Sequence, residues 1–411
     1  MSRGLRRVLR AGSCLSLCLS LCLCALGALS VARTAAQEPV APQAVSAAQL
    51  RAAIDTLGAL DYAVRTDASR TVRRTAAAQA VPALIQAVSE HADGYVRYRA
   101  LVLLTGFNDP RTKDAMREAL ASPNDRLRAS AYSFFEHNPD GSMIPPFMAA
   151  LDKEQAEFVR PALVRALAAL AADGGDAASG VRKALQREVS RGEDFFRSAV
   201  IEALGDYKGR HAFDLLVAIA KLDGPLQDDA ALALGKIGDK GALETLAAMQ
   251  RTAPRPVQPA IASAICLLGI DCEAHVSYLA EALKFSDKNV GNQELLRAAA
   301  AGLGQLASAG HVAAANALFD IGIPAPDSTR APISLALATV ALRNTPLTMT
   351  LLETHADPEH AVELVSEGFD RLEEDLDKER FFAFARRTYW ESPENSPRRR
   401  LMQRLIGTLD F

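Results

Sequence analysis

Aromatic side chains are scarce in this chain. They make up 6% of its 411 residues, with Trp390 the single tryptophan, so the interior cannot be built around large rings. Runs of alternating β-branched residues long enough to form a sheet are missing too, which leaves helices. Cysteine is nearly absent from the body: four of the six lie between Cys14 and Cys24, and only Cys266 and Cys272 follow. A disulfide framework of the small secreted kind is therefore excluded. The net charge of −3 leaves no excess of cations, which argues against nucleic acid as the main partner. Signatures of chemistry are also lacking. None of the seven histidines falls in a His-Glu-x-x-His pattern, and the chain has no Gly-x-Ser-x-Gly elbow and no Walker loop.

What the chain does have is Ala and Leu in a repeating order. Leu204-Gly205, Leu234-Gly235, Leu268-Gly269 and Leu303-Gly304 each follow an apolar helical run, about 30 to 35 residues apart. In Pro225 to Gln250, Leu226, Ala230, Ala233 and Leu234 form one apolar helical stripe. Gly235 and Gly238 loosen the helix end, Asp239-Lys240-Gly241 makes a turn, and Ala242, Leu243, Leu246 and Met249 start a second stripe. Neither helix can bury its stripe alone, but stacked neighbours share one core. A second marker, an apolar residue then Arg, opens earlier units at Arg97, Arg128, Arg160 and Arg197, with Gln227 in the same place downstream. Asn124-Asp125 and Glu193-Asp194 precede two of these helices as N-terminal caps. Seven clear units run between about Val72 and Leu318.

The stretches FFRSAVIEALGDYKGRHAFDLL and LQDDAALALGKIGDKGALETL resemble the HEAT-like repeats of phycobilisome lyases. The resemblance covers about three quarters of the chain. It implies a right-handed α-solenoid of stacked helix pairs and a protein-binding role, with no particular activity. HEAT-like hydroxylases that carry iron use His-Glu dipeptides. Here the order is reversed, at Glu90-His91, Glu136-His137 and Glu359-His360.

Residues 1–32 read as a signal peptide. Arg3, Arg6, Arg7 and Arg10 precede an apolar run from Cys14 to Leu29, too short for an ordinary membrane span, and small residues at Ala32 or Ala36 suit cleavage. The expected location is periplasmic or secreted, with membrane attachment only through an uncleaved signal. Removal leaves 42 basic against 49 acidic residues. Residues 33–45 read as an extended leader ending where Ser46 caps a helix.

Five sets of residues carry site hypotheses. In register, Arg97, Arg128, Arg160 and Arg197 could form a ladder that grips a partner's carboxylates, or each could pair with acids of its own or the next unit. In an oxidising compartment Cys266 and Cys272 could form a disulfide, or remain two thiols. His355, Asp357, Glu359, His360 and Glu363 could offer metal ligands, but read as a helix start with Asp357 ahead of Pro358. GLGQLA at Gly302 follows a helix and not a strand, so it is repeat and not a dinucleotide loop. Seven acids between Glu367 and Glu379 read as a polar cap or a docking element. The expected organisation is a solenoid over 46–350 and a charged helical cap over 351–411, without metal or cofactor. The expected role is a non-catalytic scaffold for a protein partner on a concave face lined by the second helices of the units. The alternatives are an enzyme or metal-binding protein with a site assembled across repeats, or a self-associating envelope protein.

Overall fold

The computed structural model describes residues 42–173, 175–289 and 291–411. The expected signal peptide and residues 33–41 of the expected leader lie outside the described residues. Those described hold 22 α-helices and no strand, with one isolated bridge between Gln43 and Thr75. The fold is all-α.

The chain starts with α1 (Ala47–Thr56), α2 (Tyr62–Arg74), α3 (Ala77–Glu90) and α4 (Gly94–Thr105). Then come α5 (Thr112–Ala119), α6 (Asp125–His137), α7 (Ile144–Leu151) and α8 (Val159–Asp173). The middle holds α9 (Ser179–Glu188), α10 (Asp194–Asp206), α11 (Phe213–Ala220), α12 (Gln227–Ile237), α13 (Leu243–Thr252) and α14 (Gln258–Leu267). Next are α15 (Cys272–Lys288), α16 (Gln293–Ser308), α17 (Val312–Gly322), α18 (Asp327–Arg343), α19 (Thr345–Thr354) and α20 (Pro358–Phe369). Last are α21 (Asp375–Glu391) and α22 (Pro397–Thr408).

Local sequence explains the helix ends. Ser46 and Gln49 form a capping box on α1, and Asn124 accepts the Arg126 amide at the start of α6. Asp228 and Asp229 sit in the first turn of α12 and Lys236 in its last, matching the helix dipole. Gly238 then stops the helix at φ +81°, a left-handed conformation that favours glycine.

From α4 to α20 the even-numbered helices pack one on the next in an unbroken row, and the odd-numbered helices back them. The repeat glycines show how close that row is. A Cβ on Gly205 would lie 2.8 Å from Ala233 Cα, one on Gly235 2.4 Å from Ala264 Cα, and one on Gly304 3.1 Å from Ala336 Cβ. Gly205 and Gly235 lie in the last turns of α10 and α12 and Gly304 within α16, so Gly235, expected to loosen a helix end, stays helical. All three let the next helix of the row approach its backbone. Gly269 alone of the four lies in a turn, at φ +82°. The row extends past residue 350 through α20, whose Gly368 meets the Ser334 carbonyl of α18.

A row packed more tightly than its backing curves towards its own exposed side. The concave face therefore belongs to the first helix of each unit, where the second helices were expected. The curve ends in contact: α21 packs against α4 and α6 near one end of the row and against α18 near the other. Its Leu376 is buried in the core that runs from Leu50 to Leu268, while its Phe381, Ala385 and Tyr389 belong to the core that runs from Ala262 to Phe411. The solenoid is a closed ring with α21 as its seam.

Candidate functional site: the inner face and its closing helix

The acidic stretch that reads as a cap or a docking element is docked within the chain. Glu379 of α21 accepts from Arg73 Nε at 3.0 Å and from Arg73 Nη2 at 2.7 Å, with both side chains under 10% exposed. Asp375 accepts from the Tyr98 hydroxyl at 2.5 Å and from Arg99 Nη1 at 2.7 Å. Asp377 lies 2.7 Å from His137 Nε2, outside hydrogen-bond angles, and 3.5 Å from Arg343 Nη1. Arg343 also reaches Glu374 at 3.2 Å. Arg386 donates to the Arg73 carbonyl at 2.7 Å, and Arg70 pairs with Asp410 near the C-terminus. Gly106, just after α4, leaves room for this seam: a Cβ there would lie 2.7 Å from Glu379 Oε1.

Burial disfavours the charged form of Asp375 and Asp377, but their partners outweigh it. Arg99 and the Tyr98 hydroxyl hold the Asp375 carboxyl below the usual carboxylate range, and His137 and Arg343 do the same for Asp377. Burial, then the adjacent Asp375, pushes the Tyr98 phenol up. Burial, reinforced by Arg73, brings the Arg386 guanidinium down to about 10. These shifts arise where two distant parts of the chain are pressed together.

The four repeat arginines do a different job from the one a ladder of free donors would do. Arg97 Nε donates to the Val88 carbonyl at 2.7 Å, and Arg128 Nη1 to Ser122 at 2.9 Å. Arg160 Nη1 donates to Leu151 at 2.9 Å, and Arg197 Nε to Val189 at 3.0 Å. Each acceptor lies at or just beyond the end of the preceding odd helix, where carbonyls lack intrahelical donors. Gln227 does the same to Ala220 at 3.1 Å and Arg330 to Ile323 at 2.8 Å, which explains why Gln can replace Arg. The acids expected as partners are there too: Asp125 and Glu154 on Arg128, Glu188 on Arg160, and Asp194 on Arg197.

The remaining candidates fall as follows. Cys266 and Cys272 form a disulfide across the turn between α14 and α15, with Cα atoms 4.4 Å apart. Asp357 caps α20 through the His360 amide at 3.3 Å and holds the His360 ring at 2.6 Å, a capped helix start as expected. GLGQLA lies within α16.

Beyond the reach of α21, the inner face carries a groove of about 510 Å³ between α16 and α18. Pro332, Leu335, Arg297, Gln305 and Arg371 are among the residues that line it. No single described helix is long and apolar enough to cross a membrane.

A profile of HEAT repeats matches residues 48–134 and 81–168. Over residues 48–168, then, the sequence matches HEAT repeats. No curated protein matches the sequence. Solved structures with similar helical stacking include Kap95p, which binds RanGDP, at 13% identity and a TM-score of 0.40, over 89% of this chain and 56% of that one. Human deoxyhypusine hydroxylase is 20% identical with a TM-score of 0.29, over 66% of this chain and 98% of its own. The CpcE–CpcF phycocyanin lyase of Nostoc sp. PCC7120 is 19% identical with a TM-score of 0.27, over 84% and 100%. HEAT repeats form a helical scaffold of the kind that holds proteins, and here they hold the chain's own α21.

The seam was missed in the sequence because its partners are far apart: Arg73 and Glu379 are separated by 306 residues and Tyr98 and Asp375 by 277. The one local signal was the density of acids between Glu367 and Glu379.

Proposed function

We propose that this chain is an exported, non-catalytic HEAT-repeat scaffold that holds a protein partner on the inner face of its ring. The observation that carries the reading is α21. The inner row already takes one helix, engaging its acids with Arg73, Arg99, His137 and Arg343 while its apolar side enters the core. The uncovered arc continues the same kind of surface in the groove between α16 and α18, where Pro332 and Leu335 share the lining with Arg297 and Arg371. An amphipathic helix with acidic residues beside its apolar side suits that groove, as it suits the seam. Export rests on the sequence of residues 1–32, and the non-catalytic role on the lack of a recognisable reactive constellation in the sequence.

The test is crosslinked capture of the mature protein from its own cell envelope, run beside a Leu335→Asp/Arg297→Glu variant of equal helicity and melting temperature. The reading expects one or two proteins at near-equal amounts with the unaltered chain and their loss with the variant. Recovery of the chain alone, or of the same proteins with both forms, would reject it.

A further inference from the structure

We propose that Cys266, Cys272 and His311, once the disulfide is reduced, form a Zn²⁺ site joining two successive repeats. The two sulfurs and a ring nitrogen of His311 all lie within 4.8 Å of one another. A tetrahedral zinc with ordinary bond lengths places two sulfurs about 3.8 Å apart and sulfur and nitrogen about 3.6 Å apart. Modest side-chain rotation therefore brings all three to bonding distance.

The backbone fixes each of these positions. Cys266 is buried near the end of α14, and Cys272 is the first residue of α15. The turn between them is set by positive φ at Gly269 and Asp271 and by the Gly269 amide donating to the Cys266 carbonyl at 2.8 Å. His311 is the N-cap residue of α17, and its amide donates to the Leu306 carbonyl at 3.0 Å. The ligands thus come from equivalent turns of neighbouring units, α14/α15 and α16/α17. Spatial placement brings in His311, which stands 39 positions beyond Cys272 and has no sequence motif linking it to the cysteines.

The chemistry balances with a dithiol as reductant. The dithiol gives two electrons and two protons to the disulfide and becomes a disulfide itself. Cys266 and Cys272 then bind Zn²⁺ as thiolates and release two protons, while neutral His311 donates a ring lone pair. Two thiolates and an imidazole suit zinc, and water takes the fourth position. A disulfide oxidant takes the two electrons back and becomes a dithiol, which expels the ion and re-forms the Cys266–Cys272 bond, so the same two cysteines link the end of α14 to α15 when oxidised and tie two units together when reduced.

The experiment titrates the untagged mature chain, whose cysteines are Cys266 and Cys272, with Zn²⁺ against a chromophoric chelator, oxidised and after reduction with the reductant removed. The proposal expects one Zn²⁺ per reduced chain and none per oxidised chain. It expects His311→Ala to weaken binding by more than about 100-fold, beyond the usual loss of an outer-shell partner. Co²⁺ in the reduced unaltered chain, a reading independent of any variant's folding, should give thiolate charge-transfer and tetrahedral ligand-field bands. Reduced chain that binds Zn²⁺ no more tightly than the oxidised chain would overturn the proposal. So would a folded His311→Ala chain with unchanged affinity, or Co²⁺ spectra without thiolate bands.

Discussion

Replacing Glu379 by Gln removes one charge from the seam and nearly no volume. Arg73 and Glu379 are 7% and 3% exposed as side chains, and three donor–acceptor contacts of 2.7 to 3.0 Å join them. Without the carboxylate, Arg73 remains buried beside Arg386, whose guanidinium already sits on the Arg73 carbonyl. Breaking a buried ion pair by removing one partner costs about 3–5 kcal/mol. Gln keeps an acceptor in place, so the lower end applies. A loss of about 3 kcal/mol raises the undocked population of α21 roughly 100-fold. Because a solenoid gives way locally, the change should be confined to α21, α22 and their contacts on α2 and α4. Native-state hydrogen exchange reads this directly: α21 amides should lose about two powers of ten in protection while α12 and α14 keep theirs. Trp390, on α21, gives a second signal by fluorescence. The double change Arg73→Met/Glu379→Met leaves no unpaired charge and should recover most of the loss. Unchanged α21 protection in Glu379→Gln, or a double variant as labile as the single, would refute the reasoning.

Three further outcomes follow from the same contacts. Gly235→Ala should destabilise by about 1–3 kcal/mol by denaturant titration, despite alanine's better helix propensity, because its Cβ would meet the Ala264 backbone at 2.4 Å. Arg160→Ala should cost about 3 kcal/mol, since it strips the Leu151 and Glu154 carbonyls and leaves buried Glu188 one cation short. Arg197→Ala, whose partner Asp194 is half exposed, should cost only about 1 kcal/mol, and equal losses would contradict the weight given to the buried Glu188 charge. Asp375 and Asp377 titrate below the usual carboxylate range in the folded chain, so their stabilisation is complete above the unfolded pKa near 4 and is lost as pH falls through their folded values. Acid should therefore shift Trp390 emission before helicity falls. Simultaneous loss of both signals would count against a separable seam.

The repeat was legible because its signals are local. Apolar spacing, the Asn124 cap and the Asp239–Gly241 turn all act within a few residues, and the helices lie where those signals put them. The glycines of Leu204-Gly205 and Leu234-Gly235 were visible, but their purpose was not. Whether a glycine ends a helix or admits a neighbouring one depends on what lies about 30 residues away. The Arg marker was legible as register, and pairing with acids of the same or the next unit was one of its two readings. Its main acceptors are backbone carbonyls, which leave no trace in side-chain pattern. The concave face was assigned to the second helices, and the spacing of the two rows reverses that. The seam could not be read at all: the acids of α21 look like any solvated helix face until Arg73, Tyr98, Arg99 and His137 are brought around to meet them.

Closure is the central claim, and the distance between the chain's two ends tests it most directly. Spin labels at Asp67→Cys and Thr408→Cys, in a Cys266→Ser/Cys272→Ser background, sit on exposed positions beside the Arg70–Asp410 contact. Helices packed about 8–10 Å apart would put the ends of a straight nine-helix row roughly 65–80 Å from each other. Double electron–electron resonance should instead give one short, narrow distance that lengthens in the Glu379→Gln chain. A broad distribution centred on the long distance in the otherwise unaltered chain would show an open solenoid and contradict the account.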